Sequence, residues 1–373
     1  MNLPRAFTLQ TDRADIAQTR WHESEPAPLE PGQVRLRVDH FGLSANNVTY
    51  ATLGDAMNYW DFFPQADPAF GCIPVWGYAA VSESRHPELP EGRRVYGFLP
   101  FASEVVMTPT SVNEGGFTDG SGHRSALPAP YNRYMTVAGE PQDGLADEAY
   151  SALLRPLFTT SFLIADWLAQ ESWFGAETVL ISSASSKTAY GIAYALGNGT
   201  EGQRPEIVGL TSPAHVESTC RLGLYDRVLG YDEIDTLDPD RTVVYVDLSG
   251  SADVRADVHT RCAGLQHDCA VGLTHWDAAP TSSESGPLPG PDPVFFFAPA
   301  QLERQAAKEG RGELMRRISE AMQGFVTRVG DPSAPLMTVT WHRGRDAAAA
   351  AYLNTVAGRT APSEGAMVLL SEN

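Results

Sequence analysis

The sequence predicts an α/β protein in which a doubly wound parallel-sheet domain is joined to a β-rich domain. Three observations carry this. Thr178–Leu196 reads as a strand, a tight turn of small residues and a helix. Strand and helix signals alternate from Leu153 to Phe297. Before about residue 110 the signals are short strands and turns.

Composition bounds the rest. The 373 residues exceed one ordinary core and suit two domains. With 43% hydrophobic and 20% charged residues the chain reads as globular, and no apolar run approaches the roughly 20 residues of a membrane span. The opening MNLPRAFTLQTDRADI lacks the apolar core of a signal peptide, so a cytoplasmic protein is expected. A net charge of −19, from 27 basic and 46 acidic residues, argues against nucleic acid or an anionic membrane as partner. Cys72, Cys220, Cys262 and Cys269 have neither zinc-knuckle spacing nor the density of a disulfide scaffold. Reduced thiols are expected.

Taken in order, Val34–Val38 alternates apolar and polar residues after a Pro31–Gly32 turn, as a half-buried strand does. Val75–Val81 and Arg94–Phe98 read as further strands. Between them, Asn58–Phe70 carries Tyr59, Trp60, Phe62, Phe63 and Phe70 with two prolines. This cluster forms either the wall of an apolar pocket or a satellite core under a loop. Residues 111–130, rich in glycine and serine, read as loop, with His123 expected in solvent.

Leu153–Leu168 has apolar residues three and four apart and reads as a helix. Strands follow at Val179–Ile181, Ile207–Leu210, Val228–Leu229, Val243–Val246, Ala270–Leu273 and Val294–Phe297, with helices from about Thr188 and around Val216–Leu222. Such alternation marks a parallel sheet with crossover helices. Phe295–Phe296–Phe297 is too apolar for an exposed edge and needs burial or a partner strand. Helices from Leu302 and over Glu313–Val329, a strand at Met337–Thr340, a helix over Ala347–Val356 and a strand at Met367–Leu370 complete the chain.

The Thr178–Leu196 corner has the form of a phosphate-binding turn, where N–H groups at a helix start face a pyrophosphate. Its fingerprint glycines are absent: Ser183, Ser186 and Lys187 occupy the turn, and Gly191 is the first glycine. A lysine in a first helical turn opposes the macrodipole by roughly 0.3–1 kcal/mol unless an anion is near. Lys187 therefore either meets a phosphate or extends into water.

PGQVRLRVDHFGLSANNVTYATLGD, GRRVYGFLP, VLISSASSKTAYGIAYAL, LGLYDRVLGY and GRDAAAAAYLNTVAG together resemble the medium-chain dehydrogenase/reductase superfamily, nearest its zinc-free quinone and enoyl reductases. NNVTYA, SSASSKTA and VFFFAP are similar to a branch catalogued as a domain of unknown function. The resemblance implies a Rossmann-like nucleotide-binding domain over 151–334. It implies a GroES-like β-rich substrate domain over 1–150 and 335–373. Ser44 stands where zinc-dependent members place a cysteine, so no catalytic metal is expected.

The resemblance also implies NADP(H). Ser183, Ser185, Ser186, Lys187 and Thr188 match the pyrophosphate loop, and Thr160 joins the cofactor set. Thr211, Ser212 and His215 lie where the adenosine ribose is read, with no Asp or Glu before Glu217, which favours NADP over NAD. Tyr231 matches a tyrosine near the phosphate; Ser249, Gly250, Gly272 and Thr274 match segments flanking the ribose and nicotinamide. The implied reaction is hydride transfer to a conjugated enone, enoyl thioester or quinone. Tyr50 would donate a proton or hydrogen bond, Asn47 would orient it, and Tyr59, Trp60, Phe62 and Trp76 would line the substrate. The Phe295–Phe297 strand implies a homodimer. The missing glycines keep two alternatives open: a non-redox lyase, isomerase or cyclase, and a catalytically silent binding protein.

Overall fold

The computed structural model describes residues 5–137, 145–198, 204–271 and 288–371. The chain divides into two compact units, Met1–Leu153 with Met337–Asn373, and Leu154–Leu336.

The first unit opens with strands β1 (Ala6–Asp12), β2 (Thr19–Ser24) and β3 (Val34–Leu43) and helix α1 (Ala45–Thr52). Strands β4 (Phe70–Cys72), β5 (Pro74–Ser84), β6 (Arg94–Pro100), β7 (Glu104–Met107), β8 (Pro109–Asn113), β9 (Gly116–Asp119) and β10 (Arg133–Thr136) follow. Strands β2, β1 and β4 form a small antiparallel sheet, and β3 pairs β5 and β7 in a larger one. Val34, Leu36, Phe41, Val75 and Phe98 fill its core. Residues 111–130 are not a loop throughout. Their first part pairs as the β8–β9 hairpin, and short 3₁₀ turns follow at Gly122–Arg124 and Ala129–Asn132. Glycine-rich composition hid the hairpin, because Gly116, at φ 131, is demanded by the pairing itself: a Cβ there would sit 1.9 Å from the Tyr134 carbonyl oxygen.

Helix α2 (Ala146–Gln170) leads into the second unit, whose strands are β11 (Thr178–Ile181), β12 (Glu206–Thr211), β13 (Arg227–Gly230), β14 (Val243–Asp247), β15 (Leu265–Ala270) and β16 (Pro293–Phe295). They form one parallel sheet in the order β13-β12-β11-β14-β15-β16. The order reverses between β11 and β14, which makes the carboxyl ends of those two strands the switch point where α/β sheets bind ligands. Helices α3 (Lys187–Asn198), α4 (Val216–Cys220), α5 (Ala252–Arg261), α6 (Ala298–Glu309) and α7 (Arg311–Val329) complete the unit. Helix α2 has the length and apolar content of a membrane span, yet 61% of that stretch is buried inside the protein.

Two sequence expectations shift here. The strand expected at Ala270–Leu273 lies at Leu265–Ala270, a segment of mixed polarity, LQHDCA. A carboxylate inside it, Asp268, is fully buried because Arg255 and His259 pair with it. Helix α5 was not expected, since only Val254 and Val258 give it an apolar face.

The chain then returns to the first unit through β17 (Thr338–Arg343), helix α8 (Gly344–Val356) and β18 (Glu364–Leu369). Strand β18 pairs antiparallel with β3 and parallel with β17, completing a nine-stranded sheet. Ala348, Ala351 and Tyr352 of α8 join its core.

Candidate functional site

Two constellations answer to the sequence expectations, one in each unit. In the second, the turn after β11 runs from Ser182 to Ser186 and enters α3 at Lys187. Ser183 adopts φ 50, a left-handed conformation usually left to glycine. The turn is fixed by bonds from outside itself. The Ser183 N–H donates to Tyr231 Oη (3.0 Å), and the Ala184 N–H donates to the Leu210 carbonyl (2.9 Å). Tyr225 Oη donates to the Ala184 carbonyl (2.8 Å), and Thr211 Oγ1 donates to Ser185 Oγ (3.4 Å). The glycine that allows close approach has moved to the neighbouring strand. A Cβ on Gly209 would lie 2.8 Å from Ala184 Cβ. Gly191 plays the packing role, with Ser161 Oγ 2.7 Å from where its Cβ would be.

Thr188 and Ser186 open α3, whose first turn contains no acidic residue. At the end of β12, Ser212 Oγ and His215 Nδ1 lie 3.1 Å apart, and no carboxylate stands beside them in the sequence before Glu217. Thr160 sits on α2 with Oγ1 3.5 Å from the carbonyl of Pro156 in its own helix, unconnected to the turn by any bond described. Ser249 and Gly250 follow β14 and bond to Asp247. Gly272 and Thr274 lie outside the described residues.

In the first unit, Tyr50 Oη accepts from Asn46 Nδ2 (2.7 Å) and from Trp76 Nε1 (3.1 Å). Two N–H donors occupy both lone pairs, so the phenol's own proton is directed away from them. Tyr59 lies against Tyr50 with ring centroids 4.6 Å apart, and its hydroxyl is 3.5 Å from that of Tyr131. Burial pushes the Tyr50, Tyr59 and Tyr131 phenols up from their ordinary value.

The asparagine that hydrogen-bonds Tyr50 is Asn46, not the expected Asn47. Asn47 Oδ1 accepts the Ser44 N–H (2.8 Å) in a capping box, and its Nδ2 donates to the Pro74 carbonyl (2.9 Å). Its side chain is spent on holding α1, while Asn46 stands one helical turn before Tyr50 on the same face. Ser44, at the zinc-cysteine position, is the N-cap of that helix. Among the described residues no three His, Cys, Asp or Glu side chains converge as a metal site.

The expected substrate wall divides. Trp76 is half-buried and Tyr59 is 7% exposed, and the half-buried Tyr131, not expected in the wall, stands beside them. Trp60 and Phe62 are core side chains, 3% and 1% exposed, and Tyr50 itself is 3% exposed. Trp60 is seated against Gly54 and Gly71, where any Cβ would enter its ring. Arg124 went unnoticed in the sequence because it lies in the segment read as loop, and Tyr131 follows that segment directly. Arg124 is buried below the cluster, with Nε 3.2 Å from Asp119 Oδ2, Nη1 donating to Tyr134 Oη (2.9 Å) and Nη2 to the Phe62 carbonyl (3.3 Å). Its neighbour His123 is exposed.

The sequence family described as "Protein of unknown function (DUF2855)" matches residues 41–361, and the chain belongs to that family. No curated protein matches in sequence. Solved structures share the fold almost end to end. CurA from Vibrio vulnificus in complex with NADPH superimposes with a TM-score of 0.59 at 12% identity, covering 99% of this chain and 100% of that one. CurK enoyl reductase gives 0.54 at 15%, over 98% and 99%. The CurF ER cyclopropanase from the curacin A biosynthetic pathway gives 0.57 at 12%, over 98% and 99%. The fold is the one these structures share, with a Rossmann-like unit and a GroES-like unit.

Proposed function

We propose that this chain is an NADP(H)-dependent reductase acting on a conjugated enone, enoyl thioester or quinone, with the Rossmann-like unit holding the cofactor and the GroES-like unit the substrate. The observation that carries the reading is Tyr50, whose hydroxyl accepts two N–H donors and keeps its proton for a third partner. NADPH, when bound, supplies a hydride to the carbon conjugated with the carbonyl. Tyr50 supplies what the carbonyl oxygen then needs, a hydrogen-bond donor where negative charge develops. Because burial raises its pKa, Tyr50 stays a neutral phenol and acts by hydrogen bonding rather than by becoming a phenolate. Asn46 and Trp76 fix the direction of its O–H.

The donor set of the second unit fits the cofactor. Ser185, Ser186, Lys187 and Thr188 would hold the pyrophosphate by hydroxyl bonds and charge. Ser212 and His215, with no adjoining carboxylate, suit a 2′-phosphate better than a free ribose diol. The chemistry needs no metal, and the cysteine that would hold one is replaced by the helix cap Ser44. We place the enzyme in the cytoplasm as a homodimer joined through β16. That strand pairs only with β15 among the described residues and leaves Val294 49% exposed at the sheet edge.

Calorimetric titration with NADPH and NADH, of wild type and Lys187→Ala, tests the cofactor. Micromolar NADPH binding that collapses in the variant is expected. A folded protein that binds neither refutes the reductase. The second reading, a non-redox enzyme or a silent binding protein, then takes over. It is favoured by a turn without glycine whose Ser183 N–H is already given to Tyr231. CurF, described as a cyclopropanase, has the same fold.

A further inference from the structure

We propose that the buried Ser182–Asp247 hydrogen bond is a brace across the switch point, and that Asp247 is a positioning residue for the cofactor turn in place of the missing glycines. The proposal rests on the cofactor reading above.

A serine at φ 50 keeps that conformation only if its surroundings over-determine it. The strongest of the surrounding ties starts one residue earlier. Ser182 Oγ donates to Asp247 Oδ1 (2.8 Å) and accepts the N–H groups of Leu248 (2.8 Å) and Ser249 (3.0 Å). The same carboxylate oxygen accepts from Ser249 N (2.9 Å), Ser249 Oγ (2.7 Å), Gly250 N (3.3 Å) and Tyr245 Oη (3.1 Å). The turns after β11 and β14, on adjacent strands at the point where the sheet order reverses, are thereby joined into one body. Ser182 and Asp247 are both fully buried.

A buried carboxylate can serve this many donors only if its charge is kept and balanced. Arg255 Nη2 donates to Asp247 Oδ2 (2.6 Å), and its Nε lies 3.2 Å from Asp268 Oδ2 as a charge contact. That same Asp268 oxygen lies 2.9 Å from His259 Nε2, and His259 Nδ1 faces the Pro289 carbonyl at 2.8 Å. Both ring nitrogens face oxygen acceptors, so both donate and the ring is cationic. Two carboxylates are matched by two cations drawn from β14, β15 and α5. The arrangement holds the turns after β11 and β14 in place.

Hydrogen exchange read by mass spectrometry, without ligand, on wild type and Ser182→Ala tests the brace, together with NADPH titration of both. Expected are a tenfold or greater rise in exchange over residues 182–187 and also over 247–251, and a tenfold or greater loss of NADPH affinity. Ser182→Thr, which keeps the hydroxyl, should restore the coupling. Should Ser182→Ala fail to fold, Ser249→Ala, at a half-buried residue, removes one donor from Asp247. It must then raise exchange in the other turn, over 182–187. Exchange that rises only in the mutated turn, or affinity unchanged from a wild type that binds, overturns the proposal. A wild type that binds no NADPH refutes the reductase instead. The ligand-free exchange then decides the brace alone, coupled exchange supporting it and local exchange overturning it.

Discussion

Replacing Arg124 by methionine should destabilise the first unit far more than an ordinary surface change. The arginine is 1% exposed, and Asp119 beside it is 4% exposed. Its guanidinium faces Asp119, Tyr134 Oη and the Phe62 carbonyl, and lies 4.6 Å from the Phe63 ring centre. Methionine keeps much of the volume and removes the charge, so the main loss is an Asp119 carboxylate left buried without its partner. Breaking one side of such a pair costs about 3–5 kcal/mol. Asp119 Oδ1 retains the Thr108 N–H, the Ser121 N–H and Ser121 Oγ, which argues for the lower half of that range. For a unit of this size a kcal/mol moves the melting temperature by roughly 2–4 °C, so a fall of about 6–15 °C is expected. Differential scanning calorimetry of wild type, Arg124→Met, Asp119→Asn and the double variant measures it. The double variant should lose clearly less than the sum of the singles, because each single strands the other's polar group. A fall under about 2 °C for Arg124→Met, or losses that simply add, would refute the claim that this pair supports the aromatic cluster.

Tyr50→Phe should lower kcat with a quinone or enone by about 100-fold, within the range for lost acid–base or hydrogen-bonding groups, with NADPH affinity unchanged; equal turnover would remove Tyr50 from the chemistry. Gly209→Ala should weaken NADPH binding and cost about 1–3 kcal/mol, since its Cβ would press on Ala184, whereas Ser183→Gly should cost nothing, relief of the φ 50 strain offsetting glycine's chain entropy. Val294→Lys, which puts a charge on the open edge of β16, should convert a dimer to a monomer in light scattering coupled to gel filtration. Stability should fall at both ends of the pH scale. Burial works to raise the Glu148 carboxyl, but His40 and Arg94 hold it down to about 2, so its contribution is present above the ordinary value of 4.5 and lost as pH falls through about 2. His259 is opposed by burial yet raised by Asp268 and the Pro289 carbonyl. Its contribution is therefore full below its ordinary value of 6.5 and lost as pH rises through the higher folded value. Melting curves that are flat from pH 2 to 9 would contradict both assignments.

The strand, turn and helix at Thr178–Leu196 were legible without a structure. A parallel strand buried on both faces is a continuous apolar run, and the helix after it repeats its apolar residues every three or four positions. The alternation that follows led to the Rossmann-like sheet for the same reason. Tyr50 was legible as a candidate, and the spacing that pairs it with Asn46, four residues apart on one helix, was already in the sequence. So was the Ser44–Asn47 spacing of the capping box that takes Asn47 away from it. Trp76 as the second donor was not legible as such, because β5 delivers it from 26 residues away. The same holds for Arg255, Asp268 and His259, whose polarity disguised β15 and α5 until their mutual contacts were seen. Patterning reports how each residue meets water or the core. Which polar groups are buried together is decided by packing between distant segments, because a charge becomes tolerable inside a protein only when the fold brings its partner within bonding distance.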